Sequence, residues 1–235
     1  MKQSSQNDLC PAILASFDNS ARLFQDATHL LEYSCWPTAY AVFILAQEEY
    51  AKTFLLHLVQ AGAIPWNSDV HLVLRNHTCK QLMAIVMYYV KFDIKDTLTT
   101  PSRGSSTFPP HVADALNIIR HQKVPREGVP SWLWDAESPC DPETKRIAYG
   151  SIDRQKQNAL YVGVGNTGQV TSTPLDITEK EAIVEFEKTE QLSKILHRSG
   201  KNVEPIKTIE YSKVFDAFRL LFGIISNEDY NDRWW

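Results

Sequence analysis

Glu48-Glu49-Tyr50-Ala51-Lys52 sets two carboxylates and an ammonium inside a stretch that otherwise reads as a helix buried on every side. The residues before it, Ala39 to Ala46 (AYAVFILA), are apolar all round a helical wheel, and Phe54, Leu55, Leu56, Leu58 and Val59 resume the pattern after it. Such a helix has to be covered by neighbours on most faces. Glu49 continues the row Ala39, Val42, Ala46, Thr53 and Leu56, while Glu48 and Lys52 share the row Ala41, Leu45, Leu55 and Val59. Charges in that setting are costly unless paired. Lys52 follows Glu48 by four residues and Glu49 by three, so the block is expected to neutralise itself in part along the helix surface.

The neighbours that could cover this helix are visible on both sides of it. Leu9 to Tyr33 has Ile13, Leu14, Phe17, Phe24, Ala27, Leu30 and Leu31 at helical spacing, with Pro11 in its first turn. Pro37 opens the central helix, which is predicted to stop at Gly62. Asn67-Ser68 caps a third helix predicted to run to about Asp96, with Val70, Val73, Leu74, His77, Gln81, Ala84, Ile85 and Tyr88 along one stripe. Short connections make the three an antiparallel bundle.

The remainder is less regular. Thr97 to Pro142 holds seven of the twelve prolines, so it reads as a loop-rich insertion, interrupted by a short helix from Pro110 to His121. Glu143 to Asn158 is predicted as one helix, and Ala159 to Thr173 as a small β-hairpin or extended flap around a Gly/Asn turn. Thr178 with Glu181 forms a capping box for a helix ending near Ser199, and Pro205 to Ile225 reads as a last helix before a tail ending in Trp234-Trp235. The predicted fold class is all-α, with residues 1–235 as a single domain in which 97–142 is the insertion and 205–235 the C-terminal helix and tail.

Composition narrows the function. A formal charge of −4 gives no global reason to expect nucleic acid, and Arg120, His121, Lys123 and Arg126 form a small basic cluster that could touch RNA or a partner but reads first as a solvated face. No apolar run is long enough to span a bilayer, and the N-terminus lacks the apolar core of a signal peptide, so a cytoplasmic location without membrane contact is expected. Cys10, Cys35, Cys79 and Cys140 are dispersed without zinc spacing and read as reduced packing residues. P-loop, nucleophile-elbow and H-E-x-x-H motifs are all missing, and Glu48-Glu49 has no Glu-x-x-His partner for a di-metal site. Neither cofactor nor metal is expected.

In the third helix, Arg75-Asn-His77-Thr-Cys-Lys80 puts His77 and Lys80 one turn apart on the side facing the core. They read either as a satisfied core histidine with a snorkelling lysine, or, if antiparallel packing sets them against Glu48, Glu49 and Lys52, as part of a buried ionic network containing a titratable imidazole.

These blocks, with RQKQNALYVGVG after them, resemble the AbiV family of phage abortive-infection proteins, which belong to the all-helical HEPN superfamily. The matching positions are Ala46, Glu48, Glu49 and Lys52, then His77 and Lys80, then Arg154 or Lys156 leading to Leu160, Tyr161 and Val162; the chain departs from the pattern at Gly163, where an acidic residue is expected. The resemblance implies an antiviral factor, expected as a homodimer, that binds a phage protein or a host RNA or translation component. Arg75, Lys156 and Tyr161 are then candidate contacts. It also implies an alternative, a metal-independent endoribonuclease with a composite site at the dimer interface. The superfamily's ribonuclease signature pairs an Arg with a later His, with four to six residues between them. Here only Arg22 and His29 have that spacing, a match expected by chance and on the wrong helix, so His77, Lys80 and Arg154 are the preferred catalytic set.

Overall fold

The structure, a computed structural model, describes residues 8–60, 62, 64–91, 115–116, 118–119, 142–199 and 219. Within them run α1 (Cys10–Glu32), α2 (Trp36–Gln60), α3 (Ser68–Arg75), α4 (His77–Lys91), α5 (Pro142–Ala148), α6 (Ser151–Asn158), β1 (Gly163–Val164), β2 (Val170–Ser172), a 3-10 turn (Pro174–Asp176) and α7 (Glu179–Ser199). The described fold is all-α with one two-stranded antiparallel sheet, in the predicted flap.

α2 is the central helix. It packs against α1, α4, α6, α7 and the 3-10 turn, and fifteen of its residues are buried, from Ala39 to Val59, with Thr38, Val42, Leu45, Glu49 and Lys52 forming a less buried stripe along one side. α1 lies antiparallel to it, because the Leu9 N–H at the start of α1 donates to Gln60 Oε1 at the end of α2 (2.9 Å). Buried Ser16, Ser20 and Ala27 on α1 have small side chains that let the two helices approach closely. Phe24 of α1, Phe43 of α2 and Phe186 of α7 join at centroid separations of 5.6 to 6.1 Å, which locks the three helices at one level. α1 ends in a Schellman motif: Ser34 takes φ 58°, and the Cys35 N–H reaches back to the Leu30 carbonyl at 2.8 Å.

Two predicted single helices are each broken in two. Asn76 leaves helical geometry (φ −85°, ψ 120°), and its Oδ1 accepts from the Cys79 N–H at 3.0 Å. A side-chain cap of this kind competes with continuation of a helix. The result is that α3 stops at Arg75 and His77 opens α4. In the second case Gly150 adopts φ 68° and separates α5 from α6, where the hydrophobic pattern suggests one helix from Glu143 to Asn158. The Thr178 box forms as predicted, with Thr178 N–H on Glu181 Oε2 (2.8 Å) and Glu181 N–H on Thr178 Oγ1 (3.3 Å).

Among the cysteines, Cys79 is buried, Cys10 is half-buried and Cys35 is exposed. Cys35 is therefore not a packing residue. Of the predicted short helix at 110–121, the described residues Ala115, Leu116, Ile118 and Ile119 are helical and buried. The rest of that segment and of the 97–142 insertion, the basic cluster Arg120 to Arg126, Cys140 and all of 205–235 except Arg219 lie outside the described residues. No helix among those described is long and apolar enough to cross a membrane.

Gly150 has no atom within 4 Å of where a Cβ would stand, so a substitution there meets backbone strain alone. Gly150→Ala should cost about 1 kcal/mol in urea unfolding. A loss under about 0.3 kcal/mol would show that the left-handed turn carries no strain for an L-residue.

Candidate functional site

The two carboxylates of the central block turn apart. Glu49 stays at the edge of α2 and takes Lys52, at 3.3 Å with both side chains partly exposed. Glu48 turns into the protein, its side chain only 2 % exposed, toward α4 and α6. Lys52 thus pairs along the helix with Glu49, not Glu48, and neither Glu49 nor Lys52 joins the cross-helix cluster.

Glu48 meets four donors from two other helices. Oε2 accepts from His77 Nδ1 (2.6 Å) and lies 3.1 Å from Lys80 Nζ. Oε1 accepts from Lys156 Nζ and from Gln81 Nε2, each at 3.0 Å. The three α4 residues reach it because Asn76 starts α4 where it does, placing His77, Lys80 and Gln81 on the inward side of the first turns. Lys156 comes from α6, whose register Gly150 sets, and bonds within its own helix to Asp153 Oδ1 at 2.7 Å. Two ammonium groups thus face two carboxylates in a space where a lone charge would be untenable.

The proton affinities follow from this pairing. Burial alone would raise the Glu48 pKa, but the charges of Lys80 and Lys156 and the bonds from Lys156 and His77 overcome it, and the carboxyl is held below the ordinary range. Asp153 is lowered as well, with slight burial opposed by its bond to Lys156 and that ammonium's charge. For Lys156, burial works to lower the pKa, yet the Asp153 bond and the Glu48 charge prevail and raise it.

His77 is the open member of the cluster, with its side chain 52 % exposed against 11 % for Lys80 and 8 % for Lys156. Because an ionised carboxylate only accepts, Glu48 assigns the neutral ring's proton to Nδ1 and leaves the lone pair on Nε2. A carboxylate-oriented imidazole of this kind can take a proton from, or return one to, a group arriving from outside. Glu48, His77 and Asp153 also each offer an atom of metal-ligand type within 4.8 Å of the others. Lys156 Nζ already stands among those atoms, at 3.0 Å, 3.4 Å and 2.7 Å respectively. A divalent ion there would have to displace an ammonium.

The other predicted positions lie apart from this cluster. Arg154 is exposed, and its Nη2 turns to the Tyr149 carbonyl (3.2 Å) and Ser151 Oγ (3.5 Å). Arg75 is exposed at the end of α3, and Tyr161 is 67 % exposed on the flap. Lys156, expected as an external contact, is buried beneath His77. Sequence reasoning passed over Asp153 and Gln81. The i,i+3 spacing of Asp153 to Lys156 was a usable signal, whereas Gln81 had none beyond its place on the inward stripe.

A family model described as HEPN_AbiV matches residues 8–194, a span that takes in every member of the cluster. No curated protein and no solved structure matches the chain.

Glu48→Ala would strand Lys80 and leave Lys156 with Asp153 alone, and should cost about 3 to 5 kcal/mol, whereas His77→Ala, at the exposed rim, should cost less than about 1.5 kcal/mol in the same unfolding assay. Equal losses would show that the carboxylate is not the centre of the cluster. Stability should also depend on pH in two windows. The lowered carboxyls contribute fully above the unfolded carboxylate range near about pH 4 and lose that contribution as pH falls through their folded values. Lys156, being raised, contributes fully below about pH 10 and loses its part as pH rises through its folded value. The melting temperature should be flat between these limits and fall outside both, with a shallower acid limb in Glu48→Gln.

Proposed function

The chain belongs to the AbiV family of the HEPN superfamily, and on that premise we propose that it is a phage abortive-infection factor that binds a phage or host component and so arrests RNA metabolism or translation. The flap carries the binding reading. Tyr161, Val162, Val164, Val170 and Leu175 are between 56 % and 88 % exposed along one short segment. A run of large apolar side chains held in water on a two-stranded scaffold fits a surface for another macromolecule. The ionic groups of the Glu48 cluster are spent on one another, which suits a rigid platform better than a charged groove. We place the factor in the cytoplasm as a homodimer.

One observation favours the second reading, a metal-independent endoribonuclease. His77 Nε2 is oriented by Glu48 and open to solvent, so it can accept the proton of a ribose 2′-hydroxyl as that oxygen attacks the adjacent phosphorus, and return one to the departing 5′-oxygen. The charge on the phosphorane would need a further cation. Lys80 and Lys156 are engaged with Glu48, and Arg154 faces Tyr149. A second copy would have to supply that cation, which ties this reading to a composite site at a dimer interface.

Cells expressing Tyr161→Ser/Val164→Ser or His77→Gln, challenged with phage, separate the two. We expect the flap variant to lose protection by at least tenfold in plating efficiency, and His77→Gln to keep it within about twofold. The reverse pattern, with cleavage of total RNA by the purified wild type and not by His77→Gln, would replace the binding reading with the nuclease one. Light scattering on the purified chain tests the dimer, and a monomer at every concentration removes the composite site.

A further inference from the structure

A cleft of about 320 Å³ opens between α2, α4, α5, α6 and α7, on the other side of Gln81 from His77. Its volume lies at the lower end of the roughly 300 to 1,000 Å³ typical of small-molecule sites. Ile44, Ile85, Ile147 and Ile152 make its apolar walls, one from each of four helices.

Tyr88, Lys188 and Gln47 at its edge are engaged within the protein. Tyr88 Oη donates to the Lys188 carbonyl at 2.6 Å. Lys188 Nζ sits between Glu143 (2.6 Å) and Glu185 (3.1 Å), so two carboxylates face one ammonium. Gln47 Nε2 bonds to Glu185 Oε2 (2.8 Å) and Thr189 Oγ1 (3.1 Å). In the wall, Gln81 is 6 % exposed; its Nε2 donates to Glu48, while its Oε1 is buried without a hydrogen-bond partner among the described residues. Such an oxygen is costly to leave unpaired. The cleft therefore combines an apolar interior, a locally negative edge and an acceptor in want of a donor.

We propose that this cleft binds a small neutral or cationic ligand with an apolar body and an N–H donor, an aryl amidine or aminated heterocycle by class, and that it rejects anions of the same shape. The excess carboxylate at the edge favours a cation, and Gln81 Oε1 calls for the N–H. Water does not reach that oxygen, so engagement turns the Gln81 amide out of the wall toward the ligand. Its Nε2 then leaves Glu48 Oε1, which keeps Lys156. Occupancy of the cleft is thereby felt at the carboxylate that anchors His77, whatever His77 does.

Benzamidine and benzoate, which share a ring and differ in charge and donors, are the probes. Calorimetry on the full chain should show one benzamidine bound per chain, with benzoate at least tenfold weaker. Ile85→Trp, which fills the cleft from a half-buried position, should weaken benzamidine at least tenfold. Gln81→Leu should weaken it at least fivefold and abolish the benzamidine-induced change in the His77 imidazole nitrogen resonances seen with wild type. If Ile85→Trp does not fold, Gln81→Leu decides alone. Equal binding of the two probes, benzamidine binding unchanged by either variant, or no benzamidine binding at millimolar concentration would each overturn the proposal.

Discussion

The arrangement of the described helices depends on one buried carboxylate. Glu48 sits in the middle of a largely buried helix, and taking it out of water is tolerable only because two ammonium groups, an imidazole and an amide converge on its two oxygens. Those donors belong to α4 and α6, so satisfying the charge also joins three helices at one point. Hydrophobic burial holds such helices together without choosing a register between them. A carboxylate with four directed partners does choose one, because a shift by one residue would leave a charge stranded.

Both helix breaks serve that convergence. A continuous helix through Asn76 would carry His77, Lys80 and Gln81 along the axis of α3. The Asn76 cap starts a new helix whose first turns face Glu48. Gly150 does the same for α6, and Asp153 and Lys156 then reach the cluster from the opposite side. The local cost of each break, an interrupted backbone ladder, is offset by ion pairs made elsewhere.

Membership of the AbiV family and the geometry of the cluster bear on different questions. The family assigns the chain to a class of abortive-infection proteins. The geometry distributes possible roles among residues: a paired interior at Glu48, Lys80 and Lys156, one open proton-transfer atom on His77, an exposed apolar flap, and an uncharged amide in Gln81 between the cluster and a neighbouring cleft. A binding factor and a nuclease would use the same cluster differently, the first as a strut and the second as a base with its orienting carboxylate.

Much of this was legible in the chain itself. Apolar residues at threes and fours, Pro11, the Thr178 box and the glycine-bearing flap are local signals. Each depends on residues within a turn or two of one another, so adjacent sequence is enough to specify α1, α2, the flap and the start of α7. The pairing of Glu48 with His77 and Lys80 could also be anticipated, from a short connection between antiparallel helices. Which of the two glutamates turns inward could not. Where the sequence around the acidic pair is apolar on every side, the wheel marks no outside, and Glu48 and Glu49 are equivalent until neighbours occupy the faces. That choice was made by tertiary structure, through a lysine 108 residues away and an imidazole 29 residues away, and the same packing drew Lys156 into the interior while leaving Arg154 in solvent. Sequence alone therefore determined that this chain would bury a charge in a helical bundle. Only the packed structure decided which charge and with what partners, because the groups that neutralise it are brought near by folding.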